Sequence, residues 1–180
     1  YKHLSELDSN NIDFIFTLAD LARMEKEWNT AIDYYIQGYE INSMAISGLE
    51  KALQIALTIS DFIRAEEVCA LLLIENPNNI DLLETMKDLT LFNGNYEKSL
   101  KILNELEKLN GVSNETLIQK SALYEELNQP DLALKMINTA LKKDSVNIEI
   151  LHRLVTLLMS QEKNEEAILY NQKIIDHHPD

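Results

Sequence analysis

The sequence predicts an all-α solenoid of five antiparallel helix-pair repeats, and three observations lead there. Similar residues recur at a fixed period of 34 positions, and the apolar residues inside each period fall at helical spacing. Only four Gly and three Pro punctuate 180 residues, which leaves little room for turns between short strands.

Windows opening at Ile12, Ile46, Ile80, Asn114 and Ile148 come into register without an insertion or deletion. Their fourth places read Ile15, Leu49, Leu83, Leu117 and Leu151, and their tenth places Leu21, Ile55, Leu89, Leu123 and Leu157. The twentieth place stays small: Ala31, Ala65, Ser99, Ala133 and Ala167. At the twenty-fourth stand Tyr35, Cys69, Leu103 and Ile137, with Asn171 the weak member. The expected repeats are 12–45, 46–79, 80–113, 114–147 and 148–180, forming one continuous domain. Residues 1–11 are expected to end a preceding repeat, because Tyr1, Leu4 and Leu7 stand where Tyr35, Gly38 and Ile41 stand one period later. A stack of repeats needs polar caps, and neither end supplies one, so the expectation is a segment of a longer protein.

Each window reads as two amphipathic helices of about four turns. In the third, Leu83, Met86, Leu89 and Thr90 form one stripe and Leu100, Leu103 and Leu106 the next. Short polar turns separate the paired helices, as in Phe92-Asn93-Gly94-Asn95 and Leu127-Asn128-Gln129-Pro130. Pro130 suits the first turn of its helix, where its missing N–H has no partner to lose. Between repeats come Asn76-Pro77-Asn78-Asn79, Asn110-Gly111 and His178-Pro179. Connections this short force antiparallel neighbours. Trp28, Phe62 and Tyr96 share the seventeenth place and are expected as core residues at repeat junctions.

Four segments open the second helices: Trp28-Asn29-Thr30-Ala31-Ile32, Tyr96-Glu97-Lys98-Ser99-Leu100, Pro130-Asp131-Leu132-Ala133-Leu134 and Asn164-Glu165-Glu166-Ala167-Ile168. With Glu75-Asn76-Pro77-Asn78-Asn79 closing a repeat, the chain from Ile12 to Asp180 resembles the tetratricopeptide repeat (TPR) family. That resemblance implies a right-handed α-α superhelix whose concave face, lined by first helices, holds peptides or partner domains. It also implies small residues at the eighth and twenty-seventh places. Ala19, Ser121, Gly38 and Ala140 comply; Leu53, Lys87, Val155, Leu72, Leu106 and Ile174 do not, so the second, third and fifth repeats are expected to be less regular.

The formal charge of −14 repels phosphate backbones and anionic headgroups, so neither nucleic acid nor a membrane surface is an expected partner. No apolar run approaches the roughly 20 residues of a membrane span. A single Cys69 forms no internal disulfide, so the chain needs no oxidising compartment and a cytoplasmic location is expected. No phosphate loop, nucleophile elbow or zinc-protease signature occurs, and no cofactor is expected. Cys69 falls on a core stripe and reads as an inert thiol. His177 and His178 are adjacent and diverge on a helix, while His3 and His152 are isolated, so no metal site is expected. The paired glutamates at 66–67, 125–126 and 165–166 read as helix surface, and no residue is assigned a catalytic role.

In TPR proteins the inner face comes from the second, fifth, ninth, twelfth and thirteenth places. Here the resemblance puts there Asp13, Phe16, Asp20, Arg23 and Met24; Glu50, Gln54, Leu57 and Thr58; Asp81, Glu84, Asp88, Leu91 and Phe92. Later windows add Glu115, Ile118, Glu125, Glu126, Glu149 and His152. Ten acids face one base, Arg23, and the Lys, Arg and Asn clamp that grips a C-terminal carboxylate in some relatives is lacking. The expected function is a non-enzymatic scaffold presenting an acidic, partly apolar groove to a basic or neutral peptide, with Phe92 as anchor. Alternatives are the regulatory or substrate-recruiting arm of a larger enzyme, or a spacer. Ile168, Ile174 and Ile175 are expected to be partly exposed, which favours end-to-end self-association.

Overall fold

The computed structural model describes residues 11–177. Ten α-helices and no strand occupy them: α1 (Ile12–Met24), α2 (Trp28–Ile41), α3 (Ile46–Thr58), α4 (Phe62–Glu75), α5 (Ile80–Phe92), α6 (Tyr96–Asn110), α7 (Asn114–Glu126), α8 (Pro130–Lys143), α9 (Ile148–Ser160) and α10 (Asn164–His177). The helix end expected over residues 1–11 lies, apart from Asn11, outside the described residues, as do His3 and His178. Two compact units divide the chain, one ending at Gly94 and one beginning at Asn95.

Helix starts follow from capping chemistry. Asn11, Asp61, Asn79 and Asn95 accept hydrogen bonds from the amides of Phe14, Arg64, Leu82 and Lys98. Asn147 accepts from Glu149 and Ile150, and Ser113 with Thr116 closes a reciprocal capping box. Each bond satisfies an N–H that has no partner inside its helix.

Helix ends follow from one backbone device repeated in every pair. Lys26, Ser60, Gly94, Asn128 and Glu162, each at the fifteenth place of its window, take φ of 63°, 58°, 72°, 54° and 59°. One position later, the amides of Glu27, Asp61, Gln129 and Lys163 reach back to the carbonyls of Ala22, Ala56, Tyr124 and Leu158 at 2.8–2.9 Å. This is the paired bonding of a Schellman end, which requires a left-handed residue. Lys26, Ser60 and Glu162 carry side chains that disfavour it by about 1–2 kcal/mol, whereas Asn128 tolerates it. Lys26→Gly is therefore expected to stabilise the protein by about 0.5–1 kcal/mol and Gly94→Ala to destabilise it by about 1 kcal/mol. Urea midpoints of the two variants measure this; a shift in the same direction for both contradicts it.

Packing uses the register directly. Ala31, Ala65, Ser99, Ala133 and Ala167 are buried, as are all five residues at the fourth place. Every residue at the twenty-seventh place is buried too, whether small (Gly38, Ala140) or large (Leu72, Leu106, Ile174). The first unit centres on Ile32, Tyr35, Leu49 and Val68. In the second, Leu117, Ala133, Ile137, Ile150, Leu154 and Leu157 belong to one cluster. Within each unit an amide at the fourteenth place ties one repeat to the one before. Asn93 Nδ2 donates to the Phe62 carbonyl, and Gln161 Nε2 to the Pro130 carbonyl, both at 3.2 Å.

Two expectations are corrected here. Trp28, Phe62 and Tyr96 are only half-buried, because a residue at the first position of a second helix sits at the rim of its pair. Ile174 is buried, since its place faces its own repeat's first helix, whereas Ile168 and Ile175 are exposed, together with Leu169.

Candidate partner-binding face

In the first unit the spacing of Asp13, Phe16, Asp20 and Arg23 puts them on one face of α1. Glu50, Gln54 and Leu57 occupy the corresponding places of α3, and Asp81, Glu84, Asp88 and Leu91 those of α5. The C-terminal ends of these helices carry apolar side chains in water. Met24 is 75% exposed and Phe92 72%, with Leu57 and Leu91 also exposed. The Phe92 ring stacks on Phe62 with centroids 4.9 Å apart.

Phe16, expected on the inner face, is turned into its own unit. Its ring fills the space that side chains at Gly38 and Gly48 would occupy: a Cβ on Gly48 would stand 2.7 Å from Phe16 Cζ. It also meets the Tyr35 ring at 5.8 Å. Two glycines admit the ring, and Phe16 is half-buried in its own unit.

Asp20 is engaged by its neighbours. The buried Tyr35 phenol donates to Asp20 Oδ1 at 2.5 Å, and Lys51 Nζ stands 3.4 Å from both carboxylate oxygens. Arg23 Nε lies 3.5 Å away, and Lys51 sits over the Tyr35 ring, 5.4 Å from its centroid. The Tyr35 hydrogen bond is the main reason the Asp20 carboxyl is held below its ordinary range; Lys51 and Arg23 add to it, against partial burial. Burial, reinforced by the bond to Asp20 and its charge, pushes the Tyr35 phenol up to about 12.

On α5, Lys87 Nζ contacts Glu84 Oε2 at 2.5 Å and Asp88 Oδ1 at 3.4 Å. Its side chain is only 14% exposed. Burial works against the ammonium, but the bond to Glu84 and the charges of Asp88 and Glu84 outweigh it and raise the pKa. In the second unit, Glu125 pairs with Arg153, and Ile118 packs against the core cluster.

Among the described residues no group of His, Cys, Asp and Glu is placed to hold a metal ion. Cys69 is buried, its Sγ 3.4 Å from the Leu82 carbonyl. No helix of the described residues is long and apolar enough to cross a membrane.

No protein-family model and no curated protein matches this sequence. Solved structures do. MamA from Desulfovibrio magneticus RS-1 aligns with a TM-score of 0.62 at 13% identity, covering 93% of this chain and 95% of that one. YrrB, a TPR protein with an unusual peptide-binding site, aligns at 0.61 and 18% identity over 99% and 92%. A thermophilic TPR protein of Thermus thermophilus aligns at 0.53 and 17% identity over 94% and 92%. The chain has a tetratricopeptide-repeat fold. Its class is the all-α helical-repeat solenoid.

Within this TPR fold four of the ten acids stand against bases outside the counted places. Lys51 and Arg153 at the sixth place, and Lys87 at the eighth, stand against Asp20, Glu125, Glu84 and Asp88. The tally of inner-face places passed over them, although the spacing of Lys87 from Glu84 was a visible signal of a helix-surface pair. Asp13, Asp81, Glu115 and Glu149 stand in the first turns of their helices, where a carboxylate complements the helix dipole. Glu50 and Glu126 remain exposed. Reversing Glu84 and Asp88 to Lys would replace two carboxylates beside the half-buried Lys87 ammonium with like charges, so that change is expected to lower stability.

Proposed function

We propose that this TPR chain is a non-enzymatic protein-interaction scaffold that receives a peptide or partner segment on the face of its first helices. The observation that carries this reading is the set Met24, Leu57, Leu91 and Phe92. These apolar side chains sit in water at the ends of three first helices, α1, α3 and α5, of one unit. The same helix end carries them in three successive repeats, and apolar surface that recurs in this way serves partners. The peptide-binding site that gives YrrB its description supports the reading. Repeats at 12–45, 46–79, 80–113, 114–147 and 148–180 are part of it.

Apolar anchors supply the salt-insensitive share of binding. The net charge of −14 favours a segment that is basic or neutral overall, with Asp13, Glu50 and Asp81 toward the other ends of the same helices. Peptides selected by display against the intact chain, measured by fluorescence anisotropy, supply the test. Phe92→Ala is expected to weaken them by roughly tenfold or more, as loss of an aromatic anchor does. Ile74→Ala, a change on an exposed second-helix side chain, is expected to leave affinity unchanged. Equal affinity of the Phe92 variant and the parent sinks Phe92 as anchor.

A further inference from the structure

A pocket of about 360 Å³ opens in the first unit where the end of α1, the start of α2 and α3 meet. Its walls are Arg23, Trp28, Lys51, Gln54, Ile55 and Thr58. Two of the chain's 16 basic residues thus converge on one cavity, in a protein that carries 30 acids. We propose that this pocket receives an acidic side chain of the partner polypeptide, a single anionic point in a segment that is basic or neutral overall. The inference rests on the peptide-scaffold reading and names the chemistry of one contact within it.

The arrangement of the cations carries the argument. Arg23 meets Asp20 through Nε and also interacts with the Tyr35 phenol, and its five N–H donors outnumber those two acceptors. Lys51 has three N–H bonds and sits between Asp20 and the Tyr35 ring, with half of its side chain in solvent. Asp20 is itself fixed by the buried Tyr35 phenol, so the two cations are tethered from below rather than left to wander. Both cations share the Asp20 carboxylate, so an incoming carboxylate gives one of them a partner of its own. Charge-assisted bonds of this kind are short and strong when the donors are already placed. Trp28 and Ile55 give the pocket apolar walls, which strengthen the pairing by excluding water, and the Gln54 amide adds a neutral donor.

Trp28 is the only tryptophan in the sequence, so its fluorescence reports on the pocket. The probes are an N-acetylated, C-amidated hexapeptide alternating leucine and glutamate, and its counterpart with glutamine; amidation removes the terminal carboxylate. The intact chain is expected to show a saturable Trp28 change with the glutamate peptide and a response about tenfold weaker with the glutamine one. Lys51→Met and Arg23→Gln are each expected to lose most of that preference, with circular dichroism unchanged. Arg23 is half exposed and its variant keeps the Lys51–Tyr35 contact, so one of the two tests survives if the other misfolds. Equal responses to both peptides, or full preference in Arg23→Gln, overturn the proposal. If display-selected peptides bind in a Phe92-dependent way while the glutamate peptide leaves Trp28 unchanged, the pocket assignment fails and the scaffold reading stands. If no peptide binds the intact chain at all, both fall.

Discussion

Lys120→Ala is expected to destabilise the second unit by about 3–5 kcal/mol, among the largest effects of any single substitution in this chain. Lys120 of α7 is 6% exposed, and its Nζ is held by Asn104 Oδ1 at 2.6 Å and by Glu107 Oε2 of α6. Glu107 Oε1 in turn accepts from the Thr116 hydroxyl at 3.1 Å. The Glu107 side chain is 13% exposed, so removing the ammonium leaves a carboxylate with little water and one neutral donor. Taking out both charges is a different matter. Desolvation offsets most of what a buried pair gains, so Lys120→Met combined with Glu107→Leu is expected to fall within about 1 kcal/mol of the parent or above it. Urea titrations of the parent, both single variants and the double variant decide the point. Single variants as mild as surface substitutions would show that the pair is effectively solvated.

The second large effect is alkaline. The Tyr35 phenol ionises near 12 in the folded chain, against about 10 when unfolded. A raised folded-state pKa stabilises fully below the unfolded value and loses that contribution as pH climbs toward the folded one. The window is therefore pH 10 to 12, and about 2–3 kcal/mol disappears across it. Tyr35→Phe keeps the ring under Lys51 but deletes the bond to Asp20. At neutral pH this is expected to cost about 1.5–3 kcal/mol, the usual worth of a hydrogen bond to a charged group. Lys87 also has a raised pKa and loses its contribution in alkali, but it does so in both proteins. The difference between parent and variant, from urea midpoints at pH 8 and pH 11, isolates Tyr35. The gap is expected to narrow by about 1.4 kcal/mol at pH 11, the middle of that window; a gap of constant size contradicts the assignment.

The helices, their pairing and their buried faces were legible because each is written in a periodic quantity. Ala31 to Ala167 at the twentieth place and Ile15 to Leu151 at the fourth repeat the same demand for volume five times. The turns were less legible. Lys26, Ser60, Gly94, Asn128 and Glu162 adopt one backbone conformation with five different residues, because the hydrogen bonds at the helix end impose it whatever the side chain. The candidate face was least legible, for a three-dimensional reason. A list of inner-face places treats each side chain as alone, whereas Asp20 meets a lysine 31 positions away and Glu125 an arginine 28 positions away. Phe16, placed on the inner face by its position, proves to be packed over two glycines of its own unit. The pocket by Trp28 combines three helices and corresponds to no motif along the chain.

Amide and methyl chemical-shift mapping of a display-selected peptide on the intact, isotope-labelled chain tests the scaffold reading most directly. The account predicts perturbations grouped at Met24, Leu57, Leu91 and Phe92, with the Trp28 indole shifting when the peptide carries a glutamate. Shifts confined to the exposed second-helix side chains Ile63, Ile74, Ile168 and Leu169, with the first-helix ends unmoved, would contradict it and place the binding surface on the opposite helices.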